Sequence, residues 1–215
     1  MGVKTELSEK ILTLNSGRVV LARGEGPVLK YRLRRNEKLT LIVLPKGTDY
    51  RKEIKVSLEG EGASAEILGI NIGREKNRCE MAVDVIHKAK NTTALTSFRG
   101  VLFDSSVLNF SGLIKIEKGA DKTKSLLENR VLVLGEKARA ESVPSLEIEA
   151  DDVKASHAAT VGQADENALF YLQSRGIGRD KALRLYAEGF LNQILEKLKG
   201  ERVAKEVRRY LWENL

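Results

Sequence analysis

Residues 145–176 read SLEIEADDVKASHAATVGQADENALFYLQSRG, and this stretch decides the fold class. It opens on period-2 alternation. Leu146, Ile148 and Ala150 share one face and Glu147, Glu149 and Asp151 the other, as in a half-buried strand. A second short strand, VKASHAATVG, gathers small residues around one histidine, His157. Asp165 then starts a helix, DENALFYLQSR, and Gly176 stops it. A β region therefore ends near Gly162, and a helical tail begins directly after it.

Upstream of this junction, Val28–Val161 is a series of short strand-like runs. They are Tyr31–Leu33, Leu39–Leu44, Ile54–Leu58, Ala65–Ile72, Met81–Ile86, Ser97–Phe103, Leu113–Glu117, Val131–Leu134 and Leu146–Ala150. Gly47, Gly60, Gly62, Gly73, Gly119 and Gly135 punctuate them. Runs this short, recurring every ~8–20 residues with no helix between, are the pattern of an all-β core. A sandwich, a barrel and a β-helix all satisfy it. The absence of paired Asn-Gly hairpin turns favours the β-helix, although no crisp repeat is visible. Gly24-Glu25-Gly26-Pro27 is a turn signal that closes a leader.

Downstream the apolar period changes to that of a helix. Ala168, Leu169 and Leu172 mark the first one. Asp180 is a candidate cap for a second, with Leu183, Tyr186, Phe190, Ile194 and Leu198 along one side. Gly200 breaks it, and Val203, Val207, Tyr210 and Leu211 stripe a third. The expected organisation is a leader at 1–27, a β core at 28–162 and a helical subdomain at 163–215. Removal of Asp165–Leu215 is expected to leave a folded β core.

The bulk composition sets outer limits. A chain of 215 residues can bury about 70% of its unfolded surface, enough for a proper core. The single cysteine, Cys79, excludes an internal disulfide and indicates a reducing, cytoplasmic setting. Met1–Lys10 is too charged for a signal peptide, and no run approaches the ~18 apolar residues of a membrane span. The net charge of +7 permits nucleic-acid binding. Yet Lys and Arg alternate with Asp and Glu along the whole chain, and aromatics make up 5% of it, so a mixed solvated surface is the better reading. Gly119–Lys124 lacks the second glycine of a phosphate-binding loop, so ATP is not expected to bind this chain. His-Glu-x-x-His, Cys-x-x-Cys and Gly-x-Ser-x-Gly are all absent, which leaves hydrolytic enzyme chemistry without support.

The runs LEI-ADDVK-SHAATVGQ-DE at Leu146–Glu166 and LFYL-SRGI at Leu169–Ile177 closely resemble the carboxyl end of the SufB/SufD family, scaffold proteins of iron–sulfur cluster assembly. The resemblance extends over roughly Val83–Leu195 and includes Ile86–Thr93, which is similar to the family's H-A-NTTS segment. It implies a right-handed parallel β-helix with helical ends, here in a minimal form without room for the family's large amino-terminal helical region. It implies a non-enzymatic scaffold subunit working with a SufC-like ABC-type ATPase. That partner would dock on the helical tail, around Leu169, Phe170, Tyr171, Arg175, Gly176, Phe190 and Leu191. It implies pairing through the last β-strands, as a homodimer or a SufB/SufD-type heterodimer. It also implies His157 as a ligand of a transient iron–sulfur cluster, for which a neutral imidazole is chemically suited.

Two departures qualify the match. SufD proteins commonly read Cys-Ser-His where this chain reads Ala155-Ser156-His157, and the Glu-His-Glu of SufB is missing. Where SufB carries a cysteine before a strand, this chain has Glu128-Asn129-Arg130, which is more similar to SufD. One cysteine cannot build a four-cysteine cluster site, so any cluster must be shared between subunits or use other donors. Cys79 follows Arg78, which can lower a thiol pKa, although an incidental thiol at a strand edge is the simpler reading. His87 reads as structural or surface-exposed. The alternatives to a scaffold are a polymer-binding β-helix, which would need a groove of exposed aromatics, and a basic nucleic-acid-binding adaptor.

Overall fold

The computed structural model describes residues 9–14, 17–23, 28–45, 49–198 and 200–215. Gly24–Pro27, Gly47 and residues 1–8 of the expected leader lie outside the described residues. Among the described residues twelve strands precede three helices: β1 (Glu9–Leu14), β2 (Gly17–Arg23), β3 (Val28–Leu33), β4 (Lys38–Leu44), β5 (Tyr50–Leu58), β6 (Ser64–Gly73), β7 (Arg78–His87), β8 (Thr93–Leu102), β9 (Val107–Ile116), β10 (Thr123–Val133), β11 (Arg139–Ile148), β12 (Val153–Gln163), α1 (Glu166–Ser174), α2 (Arg179–Leu195) and α3 (Glu201–Asn214).

From β3 onward, consecutive strands alternate between two sheets. One sheet is ordered β1-β2-β4-β6-β8-β10-β12 and the other β11-β9-β7-β5-β3. β1 with β2 is antiparallel, and the other pairs are parallel. Parallel neighbours need a long crossover, and here each crossover is a strand of the opposite sheet. The result is a β-solenoid of about five turns, the mainly β, parallel β-helix architecture expected from the sequence. Ser64 pairs with Lys38, Thr93 with Ser64 and Lys124 with Thr93, so successive turns take 26, 29 and 31 residues.

Alternation decides which residues fill the lumen. Leu41, Ile67, Thr96, Leu127 and His157 form one inward row through the first sheet. Ile54, Val83 and Ile114 of the second sheet pack against such rows from the other side. The corners between sheets repeat as well. Asn36, Gly62, Asn91 and Lys122 take positive φ at successive corners, a conformation that Asn and Gly adopt at low cost. Asn36 and Asn91 each donate their backbone N–H to a carbonyl one turn on, Glu61 and Asp121.

The two sheets differ on their outer faces. β9 alternates in burial, whereas β4, β6 and β8 are buried on both faces over most of their length. The reason is the helical layer. Ala187, Leu191 and Ile194 of α2 and Val203, Val207 and Leu211 of α3 cover Leu68, Ile70, Val101 and Leu132. The near-continuous apolar runs LTLIVL and ILGI are the sequence signature of strands covered on both sides. Tyr210 adds a hydrogen bond, its hydroxyl donating to the Pro45 carbonyl at 2.7 Å.

Three expectations change. The leader is not separate from the core, because β2 pairs in parallel with β4 and Val20, Leu21 and Ala22 are buried. The helical tail is not an appendage either. Stripping it would bare Leu68, Ile70, Val101 and Leu132 to water, so a truncated β core is not expected to fold alone. Asp180 lies in the first turn of α2 rather than at its cap, which Gly178 occupies. There the carboxylate still complements the positive end of the helix. Asp165 does cap α1, its Oδ1 accepting from the Asn167 N–H at 2.9 Å, and Gly176 turns the chain at φ +83°.

Gly69 supplies a test of lumen packing. A Cβ on it would come within 1.9 Å of the Phe98 ring, which is itself held 5.4 Å from Phe110. Gly69→Val should lower the urea midpoint at unchanged slope, corresponding to about 1–3 kcal/mol. A wild-type midpoint would show that the two rings have room to shift.

Candidate functional site at the open end of the solenoid

β11 and β12 are the last strands of their sheets, so each has one neighbour and one unpaired edge. This terminal rung is also poorly covered. Val143, Ile148 and Val161 are 45–50% exposed, large values for β-branched residues in a sheet. An uncovered strand edge flanked by apolar side chains is a pairing surface in physical terms.

His157 stands in the middle of that rung. It pairs with Leu127, which is fully buried, so its row continues the lumen wall. No further turn covers it, and it is exposed. Ala155, Ser156, Ala158 and Ala159 surround it with little bulk. Below the rung, the Asn129 side-chain amide donates to Ser142 Oγ at 2.9 Å and ties β10 to β11 across the lumen. Asn129 itself is buried. Among the described residues no group of three His, Cys, Asp or Glu side chains could hold a metal ion. The described residues of one chain therefore bring together no ligand set for an iron–sulfur cluster.

The other candidates fall elsewhere. Cys79 is 2% exposed within β7, packed with Leu102, Leu108 and Val131. Burial pushes its thiol up to about 11, the reverse of activation by Arg78. Arg78 projects from the opposite face of the same strand and is exposed, so it does not reach the thiol's surroundings. His87 is fully buried, which removes the surface reading and keeps the structural one. Its Nδ1 lies 2.8 Å from Thr92 Oγ1 and its Nε2 3.0 Å from Ser125 Oγ. Thr92 Oγ1 also lies 3.1 Å from the Ala89 carbonyl oxygen and 2.9 Å from Thr123 Oγ1, so both ring nitrogens end in a buried polar network. Burial lowers the imidazole pKa to about 4.

On the helical layer the expected contact residues divide. Phe170 and Tyr171 are 72% and 57% exposed, and Arg175 stacks over the Tyr171 ring at 5.3 Å beside exposed Gly176. Leu169 and Leu191 are fully buried, because they are the inward-facing residues of α1 and α2, and Phe190 is half-buried. Leu169 and Leu191 therefore offer no surface to a partner. A feature that sequence reading missed lies nearby. A groove of about 1090 Å³ runs between α2, the end of α3 and the corner turns, walled by Phe103, Leu134 and Leu185. Trp212 stands on its lip, 77% exposed, with the Arg184 guanidinium 5.5 Å above its ring. The available signal was that Trp212 falls off the apolar stripe of α3. None of the helices among the described residues is long and apolar enough to cross a membrane.

Comparison with known proteins bears on this geometry. Residues 30–190 match the family model described as SUF system FeS cluster assembly, SufBD core domain. The chain is 38% identical over 159 residues to the iron-sulfur cluster assembly protein SufD of Bacillus subtilis, an alignment covering 74% of this chain and 36% of that protein. It is 30% identical over 161 residues to the SufD protein of Escherichia coli, covering 75% of this chain and 38% of that protein. The chain thus spans little more than a third of the length of either relative.

The buried His87 predicts a pH dependence. Its folded pKa lies below the unfolded value of about 6.5, so the unfolded state binds more protons between the two. Its contribution is fully present above pH 6.5 and is lost as pH falls through 4, up to about 3 kcal/mol. Urea unfolding from pH 7.5 to pH 4 should show this loss. His87→Gln should flatten that part of the curve. An equally steep curve in the variant would assign the acid sensitivity to other groups.

Proposed function

Because this chain belongs to the SufB/SufD family of iron–sulfur cluster assembly proteins, we propose that it serves as a scaffold subunit of a Suf-type assembly complex. The observation that carries this reading is the terminal rung, where an unpaired edge, exposed apolar side chains and His157 meet. Two subunits pairing through β12, as a homodimer or with a SufB/SufD-type partner, would satisfy the free backbone groups and bury Ile148 and Val161. Pairing about a two-fold axis would bring two imidazoles together at a site that neither chain completes alone. A transient iron–sulfur cluster is the cargo of such a site, with its remaining ligands drawn from the other subunit or another protein.

In this reading the chain positions and does not catalyse. The energy source is a SufC-like ABC-type ATPase bound to the helical layer. Phe170, Tyr171, Arg175 and Gly176 supply one exposed lip of that dock, and the groove under Trp212 extends it. The alternatives are less well supported. The exposed aromatics sit on helices and not along a sheet face, as a polymer-binding groove would require. On the outer face of the second sheet, Lys55 meets Glu53 and Asp84, Lys115 meets Glu147 and Glu149, and Arg51 meets Glu80. Those pairs interleave the two signs of charge on this face, whereas a nucleic-acid site gathers one sign.

Two measurements test the reading. His157→Ala should unfold at the wild-type urea midpoint yet fail to support cluster assembly in cells that depend on this protein. Full complementation would make His157 structural only. Phe170→Ala with Tyr171→Ala should weaken ATPase binding by about tenfold or more, the scale of an aromatic hot spot. Undiminished affinity would place the dock elsewhere.

A further inference from the structure

The interface between α2 and the first sheet is apolar over most of its area, but one patch is charged. Glu128 of β10 is 13% exposed and meets three cations. Its Oε2 lies 3.3 Å from Arg99 Nη1 and 3.6 Å from Lys197 Nζ, and its Oε1 lies 2.6 Å from Arg130 Nε. Ser97 Oγ donates to the same carboxylate at 3.3 Å and accepts from Lys197 at 3.0 Å. Arg99, 4% exposed, donates from Nη2 to Gln193 of α2 at 3.2 Å and lies 5.7 Å from the Phe190 ring centroid. Burial raises the Glu128 carboxyl pKa, but Arg99, Arg130 and Lys197 outweigh it and hold the group below its ordinary range.

This cluster is a poor way merely to glue a helix down. Well-packed apolar residues commonly hold such an interface as well or better, because buried charges must be desolvated. The desolvation is also incompletely compensated, since Arg99 Nε is buried without a partner. What an ionic cluster adds is geometric definition. Displacing one partner leaves an uncompensated buried charge, so intermediate positions are disfavoured and the contact is either made or broken. Its location is informative too. Glu128 pairs directly with Ala158 of β12, and the preceding Leu127 pairs with His157.

We propose that Glu128 is an ionic latch joining the carboxyl end of α2 to β10, directly through Lys197 in the turn just past the helix and indirectly through Arg99 of β8 to Gln193, and through β10 to the terminal strand β12, so that displacement of the helical layer is felt at the open end. Its regulatory meaning rests on the reading above, in which a partner grips the helices and cargo is handled at His157. The coupling itself is a property of this chain alone. Among the described residues β12 has β10 as its sole sheet neighbour, so whatever loosens β10 at Glu128 loosens the strand that carries His157.

Hydrogen exchange on the full chain tests the latch without any ATPase. In Glu128→Gln, exchange should quicken by about tenfold or more both in 190–198 and in 153–163, with β4–β7 unchanged. Faster exchange confined to 190–198, or no change in either segment, would overturn the proposal. If Glu128→Gln does not fold, Lys197→Met decides instead, because its side chain is a third exposed and its loss is tolerable. It should quicken exchange in both segments by about threefold, and a change in 190–198 alone would again overturn the latch. Failure of ATPase binding would sink the docking reading and leave this result standing, so the two are separable.

Discussion

The interior strands from β4 onward depend on in-register parallel stacking. A parallel strand can satisfy its backbone groups only through neighbours on both sides, and the neighbours here are the turns before and after. The same register stacks like side chain on like side chain, so the lumen wall is built from rows such as Leu41, Ile67, Thr96 and Leu127. Position along the axis therefore sets how well a residue is satisfied. Residues in the middle turns are closed on all sides, while β11 and β12, like β1 and β3 at the other end, keep an unpaired edge.

The helical layer modifies this scheme on one side only. It converts the outer face of β4, β6 and β8 into a second core and stops short of β12. The exposed rung and the exposed helical surfaces are thus separate places on one body. Between them lies the charged cluster around Glu128, within an interface that is otherwise apolar. Under the function proposed above, a partner on the helices would reach the sheet edge through this arrangement, because both elements bear on β10.

Much of this was legible because hydrophobic period survives in the residues. The alternation at Leu146–Asp151 and the change of period after Gly162 located the β-to-helix junction correctly. The repeat stayed hidden for a physical reason. The corner position tolerates any residue able to take positive φ, and Asn36, Gly62, Asn91 and Lys122 share little else. Phase was the information left unused. Cys79, Met81, Val83, Val85 and His87 lie on one face of β7, so alternation alone would have placed both the thiol and the imidazole inside. The LFYL run could not be divided the same way. Four consecutive apolar residues wrap most of a helix, and only packing shows that Leu169 turns inward while Phe170 and Tyr171 turn outward. His157 stood out through family resemblance, since an exposed histidine among alanines carries no physical signature of its own.

The unequal steps between turns have a consequence for assembly. Strands lengthen from six or seven residues in β3 and β4 to ten or eleven in β11 and β12, so the cross-section widens along the axis. The narrow end is finished by an antiparallel hairpin, and the wide end is bare. Identical tapered bodies cannot stack nose to tail in register, because a wide perimeter would have to meet a narrow, differently paired one. Wide end against wide end is the arrangement that matches, and it uses up the bare edge in a single step. In the pairing proposed above, the taper would therefore disfavour open-ended fibre growth, a hazard for any solenoid that leaves a rung uncovered.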